Sequence, residues 1–170
     1  RVDGNEQVQQ AIAAGSGVIL ATPHLGSWEA AGLYGSAEFA ITCLYRPLKI
    51  AEAEDLVRNA RNRLGGNYVP ANARGIRLIY KALEQGSVVA MLPDQEPQAG
   101  TGVFAPFFGI PAYSMVFLSR LSIRSGAPII FAWCERLSWG RGFHLHFRSF
   151  AAVNEASDIE SNVAGVNRAV

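Results

Sequence analysis

A chain of 170 residues, 49% hydrophobic and 17% charged, is long enough for one domain with a sizeable core and too apolar to be disordered. Fifteen Lys and Arg against fourteen acids leave a net charge of +1, which removes the bulk field that would draw the chain to nucleic acid. Cys43 and Cys134 lie in apolar runs without Cys-x-x-Cys spacing, so both read as buried, reduced thiols rather than a disulfide or metal ligands.

In chain order, a helix over about Asn5 to Ala14 stops at Gly15, and Gly17 to Pro23 is an apolar run bounded by Gly and Pro, the mark of a buried strand. A helix opens near Ser27, and a strand spans about Phe39 to Tyr45 and ends at Arg46-Pro47. The next helix begins with Glu52, Glu54 and Asp55, carries Arg58, Arg61 and Arg63 later, and ends at Gly65-Gly66, a charge order that complements the helix dipole. A short strand from Asn67 to Pro70 leads to a helix over Ala73 to Gln85, with Ile76, Ile79, Tyr80 and Leu83 on one face. Ser87 to Leu92 is a strand ending in Pro93-Asp94-Gln95.

An apolar segment from Val103 to Gly109 follows, then a helix from about Tyr113 to Ser125. Pro128 to Cys134 is a β-branched and aromatic strand. Gly142 to Phe150 alternates as an edge or antiparallel strand, with His144 and His146 on its outward face and no role assigned. Ser157 and Glu160 form a capping box for the last helix. Val103 to Leu118 is uncharged but broken by Pro106, Gly109 and Pro111, and no apolar run reaches the roughly 18 to 20 residues of a membrane span. The start at Arg1 and the uncapped pattern Ile159, Val163, Val166, Val170 make both ends read as cut from a longer protein.

Strand-helix alternation without repeats or linkers predicts a single α/β domain over residues 1–170, with a mostly parallel central sheet flanked by helices. Ligands in such folds gather beyond the carboxyl ends of the strands, and three strands here end in polar groups: at His24, at Arg46 and at Asp94-Gln95. His24 and Glu29 are five residues apart, which on one helix would turn them about 140° from each other. With His24 in the loop and Glu29 in the first helical turn they can meet. The carboxylate then accepts the Nδ1 proton, and Nε2 is a base aimed at a substrate hydroxyl.

The segment His24-Leu25-Gly26-Ser27-Trp28-Glu29 is followed in order by Tyr45-Arg46-Pro47, Gly75-Ile76-Arg77, Pro93-Asp94-Gln95 and Val103-Phe104-Ala105-Pro106-Phe107-Phe108-Gly109. In this combination and order the chain resembles the bacterial lipid A biosynthesis acyltransferases, within the His-x-x-x-x-Asp/Glu acyltransferase superfamily. The resemblance implies a glycerolipid-acyltransferase-like fold and transfer of a fatty acyl chain from acyl-carrier-protein, or acyl-CoA, to a hydroxyl of a lipid A precursor, without cofactor or metal. It implies His24 as general base and Glu29 as its orienter; the placement of the Gly26 and Ser27 amides, beside Leu25, at a helix N-terminus suits them to the thioester oxyanion. Arg46, Arg74 and Arg77, around Gly75, would bind phosphate or sugar-acid groups. Asp94 would hold Arg46 or sugar hydroxyls, and Gln95 would add a neutral contact.

Phe104, Phe107 and Phe108 would cover the fatty chain or rest on the bilayer. The full-length protein would be anchored at the cytoplasmic face of the inner membrane, with the N-terminal anchor and the C-terminal end absent from this chain. The alternatives are acylation of glycerophosphate or mannosylated glycolipids by the same pair, and a non-catalytic lipid- or carrier-binding domain. The absence of Gly-x-Ser-x-Gly argues against a serine hydrolase. His144 and His146 lack a carboxylate at ligand spacing in the sequence, which argues against metal catalysis.

Overall fold

The computed structural model describes residues 1–48, 50–150, 153–154 and 156–170. Strand β1 (Val2–Asp3) and helix α1 (Asn5–Ala13) precede β2 (Val18–Ala21), α2 (Trp28–Phe39) and β3 (Thr42–Tyr45). Next come α3 (Ala51–Asn62), β4 (Asn67–Pro70), α4 (Ala73–Glu84) and β5 (Val88–Met91). The second half holds β6 (Gly102–Phe107), β7 (Ile110–Met115), α5 (Phe117–Ser125), β8 (Ile129–Arg136), β9 (Phe143–Ser149) and α6 (Ile159–Ala169).

Seven strands form one sheet in the order β1-β9-β8-β2-β5-β3-β4. All neighbours are parallel except β8 and β9, so the sheet is the mostly parallel one expected. Its inner strands read as unbroken apolar runs because both faces are covered. Val18, Leu20, Val88, Ala90 and Ile130 pack with Val8 of α1 and Ala31 of α2. Ile19, Ala21, Val89, Met91 and Phe131 face the other way, against Ile79 and Leu83 of α4, Leu118 and Leu121 of α5, and Val166 of α6.

Three local expectations change. Helix α2 continues through Phe39 and ends at Ala40 in the left-handed region (φ 49°), so β3 starts only where the β-branched residues do. The segment expected as an apolar stretch followed by a helix from Tyr113 is a hairpin: β6 pairs antiparallel with β7 from Gly102↔Met115 to Phe107↔Ile110. Its two-residue turn, Phe108-Gly109, has positive φ at both positions (49° and 79°), the geometry that suits the twist of paired strands. The following helix therefore begins at Phe117. The third change is at α6, whose cap is Asp158, accepting from the Ser161 amide at 2.7 Å, rather than Ser157.

The hairpin is a separate two-stranded sheet held on α6. Ala105 and Val116 bury against Val163, and Asn167 donates to the Pro106 carbonyl at 3.2 Å and contacts the Ser114 hydroxyl at 2.9 Å. This seats it beside the carboxyl ends of the parallel strands, over the loop that follows β5.

Candidate active site

Strands β2 and β5 pair with Ala21 opposite Met91, and the Thr22 amide extends the ladder by donating to the Met91 carbonyl at 3.0 Å. Pro23 and Pro93 then end it, since neither has an N–H to donate. One residue further on, the same register sets His24 opposite Asp94. The His24 amide donates to Asp94 Oδ2 at 2.8 Å, and His24 Nδ1 lies 2.9 Å from Asp94 Oδ1. A carboxylate there accepts a hydrogen bond from Nδ1–H, which keeps the proton on Nδ1 and leaves Nε2 as the unprotonated nitrogen. Trp28 packs edge-on to the imidazole at 5.3 Å, and the Gln95 amide nitrogen stands 3.5 Å from Nε2.

Glu29 does not take the part expected of it. From the first turn of α2 its carboxylate reaches Arg61 of α3 in a fork, with Nε to Oε2 at 3.2 Å and Nη2 to Oε1 at 2.5 Å. The guanidinium also lies over the Trp28 and Tyr68 rings, at 5.5 and 5.7 Å. Burial works against the Arg61 charge, but the Glu29 hydrogen bonds and charge outweigh it and hold the pKa above the ordinary arginine value. The reason is topological. Because β5 lies between β2 and β3, the carboxylate nearest His24 comes from β5, and α2 carries Glu29 toward α3.

A cavity of about 200 Å³ opens beside the dyad, lined among others by His24, Trp28, Tyr45, Arg46, Arg61, Tyr68, Gln95 and Met115. Arg46 is there as expected, on the exposed loop after β3. Among the described residues no hydrogen bond or ion pair joins Asp94 to it, and both carboxylate oxygens accept from His24 instead. Tyr45 turns its hydroxyl to Glu54, which also accepts from the Leu48 amide at 2.9 Å and so fixes the loop carrying Arg46. Burial and the Glu54 carboxylate push the Tyr45 phenol upward.

The residues after His24 are engaged structurally. Gly26 (φ 65°) bridges to Cys134 of β8, and a Cβ there would fall 2.3 Å from the Cys134 carbonyl oxygen. The Ser27 amide donates to that same oxygen at 2.7 Å, so it is not free for an oxyanion, and Arg136 donates to the Ser27 hydroxyl at 3.2 Å. Leu25 lines a second cavity, of about 500 Å³, with Pro23, Phe131, Trp133, Phe150 and two arginines, Arg148 and Arg168.

Arg74 and Arg77 stand exposed on α4, outside the lining of the His24 cavity. Gly75 between them is explained by packing: a Cβ would meet the Pro70 carbonyl oxygen at 1.9 Å, and its amide is capped by Asn72 at 3.0 Å. Phe104 and Phe108 are exposed on the hairpin, at 70% and 87%. Phe104 and Phe107 line a third space with Asp94, Gln95 and Tyr113.

The outward histidines do have carboxylate partners. The edge pairing β1-β9 places Asp3 2.8 Å from His144 Nε2, and Glu135 of β8 lies 3.4 Å from His146 Nε2. The His144 hydrogen bond, with those of Arg1, holds the Asp3 carboxyl below the usual range. The Asp3–His144 contact ties the two-residue edge strand to the sheet.

The role of Asp94 had a sequence signal. The two strands end alike, in Ala21-Thr22-Pro23-His24 and Met91-Leu92-Pro93-Asp94, and equal endings on adjacent parallel strands bring the final residues together. Arg61 had none, since a basic residue late in a helix is ordinary.

Fold and site together define an α/β protein with a histidine–carboxylate dyad at its strand ends and a cationic, aromatic cavity beside it. Over residues 1–170 the chain matches the family described as bacterial lipid A biosynthesis acyltransferase, and it belongs to that family. It is 27% identical over 145 residues to a phosphatidylinositol mannoside acyltransferase of Mycobacterium tuberculosis, covering 82% of this chain and 46% of that protein. It is 29% identical over 128 residues to a lipid A biosynthesis acyltransferase of Haemophilus influenzae, covering 75% of this chain and 40% of the relative. The chain thus spans less than half the length of these curated relatives. No helix among the described residues is long and apolar enough to cross a membrane.

Proposed function

We propose that the full-length protein transfers a fatty acyl chain from an acyl-carrier-protein or CoA thioester to a hydroxyl of a lipid A precursor. The observation that carries this reading is the fixed imidazole: Nδ1 of His24 held by Asp94 at 2.9 Å, with His24 lining a cavity that also contains Arg46 and Arg61. Nε2 accepts the hydroxyl proton as the acceptor oxygen forms its bond to the thioester carbonyl carbon. The tetrahedral intermediate then collapses, the C–S bond breaks, and the imidazolium returns the proton to the departing thiolate. The thioester is already activated, so no acyl-enzyme is required. Base assistance of this kind contributes about 10² to 10⁴ in rate, and Asp94 serves it by fixing the tautomer and facing the imidazolium as it forms.

Arg46 anchors an anionic group of the acceptor, and Gln95 supplies a neutral polar contact. The exposed hairpin aromatics rest against the fatty chains or the bilayer surface. The same reading puts the full-length protein at the cytoplasmic face of the bacterial inner membrane. A mannosylated glycolipid is the second acceptor to consider, supported by the similarity to the phosphatidylinositol mannoside acyltransferase.

The test is an acyl-transfer assay with the full-length protein and labelled lauroyl-acyl-carrier-protein, offered a lipid A precursor or a phosphatidylinositol mannoside in parallel. Product from the first acceptor, lost in folded His24→Ala, is the expected result. Product from the second alone moves the acceptor assignment, and wild-type rates in His24→Ala refute the mechanism.

A further inference from the structure

Arg61 enters none of the steps above, yet it lines the cavity that holds His24 and is placed with unusual firmness. Glu29 accepts from Nε and one Nη, the guanidinium carbon lies 5.5 Å from the Trp28 ring centroid and 5.7 Å from that of Tyr68, and the side chain is only 16% exposed. Covering the arginine while half of the Glu29 side chain stays exposed is a poor way to gain stability, because desolvation of the guanidinium offsets much of the attraction. Its use is to fix a charge in one geometry. The second Nη makes no hydrogen bond to any described residue, so donors of a guanidinium fixed at its other edge remain for a ligand. Arg46 lines the same space and adds a second positive charge, against Glu96 at the exposed rim.

We infer that Arg61, oriented by Glu29, forms with Arg46 a subsite for a phosphate ester in the His24 cavity. Glu29 is then a positioning residue for Arg61. A guanidinium presents paired N–H groups that match the oxygens of a phosphate, and these charge-assisted bonds are about twice as strong as neutral ones. The class of ligand rests on the glycolipid-transfer reading, in which phosphate can come from two sources: the acceptor headgroup or the phosphopantetheine arm of the donor.

Equilibrium binding to the full-length protein tests this without turnover. Two probe pairs are titrated: a glucosamine disaccharide bisphosphate with its dephosphorylated form, and phosphopantetheine with pantetheine. The expected result is that the wild type binds one phosphorylated probe at least about 10-fold tighter than its partner, which also names the source. Arg61→Gln abolishes that preference and leaves the dephosphorylated probe unchanged, while Glu29→Gln reduces it. Equal affinity within both pairs in the wild type overturns the inference whatever the variants do. A preference that survives in folded Arg61→Gln, or in folded Arg61→Met should the glutamine variant not fold, overturns it as well. Absence of acyl transfer alongside an intact phosphate preference counts against the reaction and leaves the subsite standing.

Discussion

Asp94→Asn is the most informative single change. The two Asp94 oxygens accept from the His24 amide at 2.8 Å and from Nδ1 at 2.9 Å. Asparagine has one oxygen to offer. If it keeps the backbone bond, its NH₂ faces Nδ1 as a donor, the imidazole proton moves to Nε2, and the base is lost from the position that meets the acceptor. If it flips, the His24 amide faces an NH₂ group and the loop loses its tether. Loss of a hydrogen bond to a charged group costs about 1.5–3 kcal/mol, or roughly 10- to 150-fold in rate. A wrong tautomer in a histidine–carboxylate pair costs on the order of 10⁴. The expected fall in kcat of the full-length enzyme is therefore between about 10 and 10⁴, with the acceptor KM little changed. Steady-state acyl-transfer rates, with circular dichroism to confirm the fold, measure it. A folded Asp94→Asn enzyme within threefold of wild type, beside a Glu29→Gln enzyme reduced 10²-fold in kcat at unchanged KM, would refute the reasoning and return the orienting role to Glu29.

Three further outcomes are expected. Gly75→Ala drives a methyl group to 1.9 Å from the Pro70 carbonyl; at about 1–3 kcal/mol for such overpacking, Tm in a thermal melt falls by roughly 2–12 °C, and an unchanged Tm contradicts the close approach. Burial pushes the Cys43 thiol up to about 12, so near pH 8 iodoacetamide labels it at least about 10³-fold more slowly in the folded protein than in urea; mass spectrometry of the labelled peptide decides. The Asp3 carboxyl is held below its ordinary 3.8 chiefly by His144, a contribution present above that value and lost as pH falls through the lowered one. The stability difference between wild type and His144→Ala should thus close as pH falls through and below 3.8, and a difference constant across denaturant melts through that acidification would oppose it.

The parallel sheet was legible because burial on both faces leaves no choice of residue: Val18 to Ala21 and Val88 to Met91 are apolar throughout, bounded by Gly and Pro. The convergence of His24, Arg46 and Asp94 at strand ends was legible for the same reason. Pairing within the site was not, because it depends on strand order. The five-residue spacing of His24 and Glu29 suggested a local partner, whereas insertion of β5 between β2 and β3 supplies a carboxylate 70 residues away. The hairpin was missed because the Phe108-Gly109 turn needs a non-glycine residue at positive φ, which no local preference signals. Arg61 became part of the site only through α3 packing beside α2, a contact without a sequence signature.

The β6–β7 hairpin shares no ladder hydrogen bond with the seven-stranded sheet and meets the rest of the protein through α6 and the loop after β5. Met115 and Tyr113, from its second strand, wall the two spaces on either side of Asp94 and Gln95. The dyad, by contrast, takes its register from the β2–β5 ladder, with the loop after His24 tied to β8 through Gly26 and Ser27. Chemistry and cavity shape are therefore carried by separately replaceable parts. A hairpin of another length or tip composition could be exchanged for this one while His24 and Asp94 keep their register, so this module is where an engineer would begin.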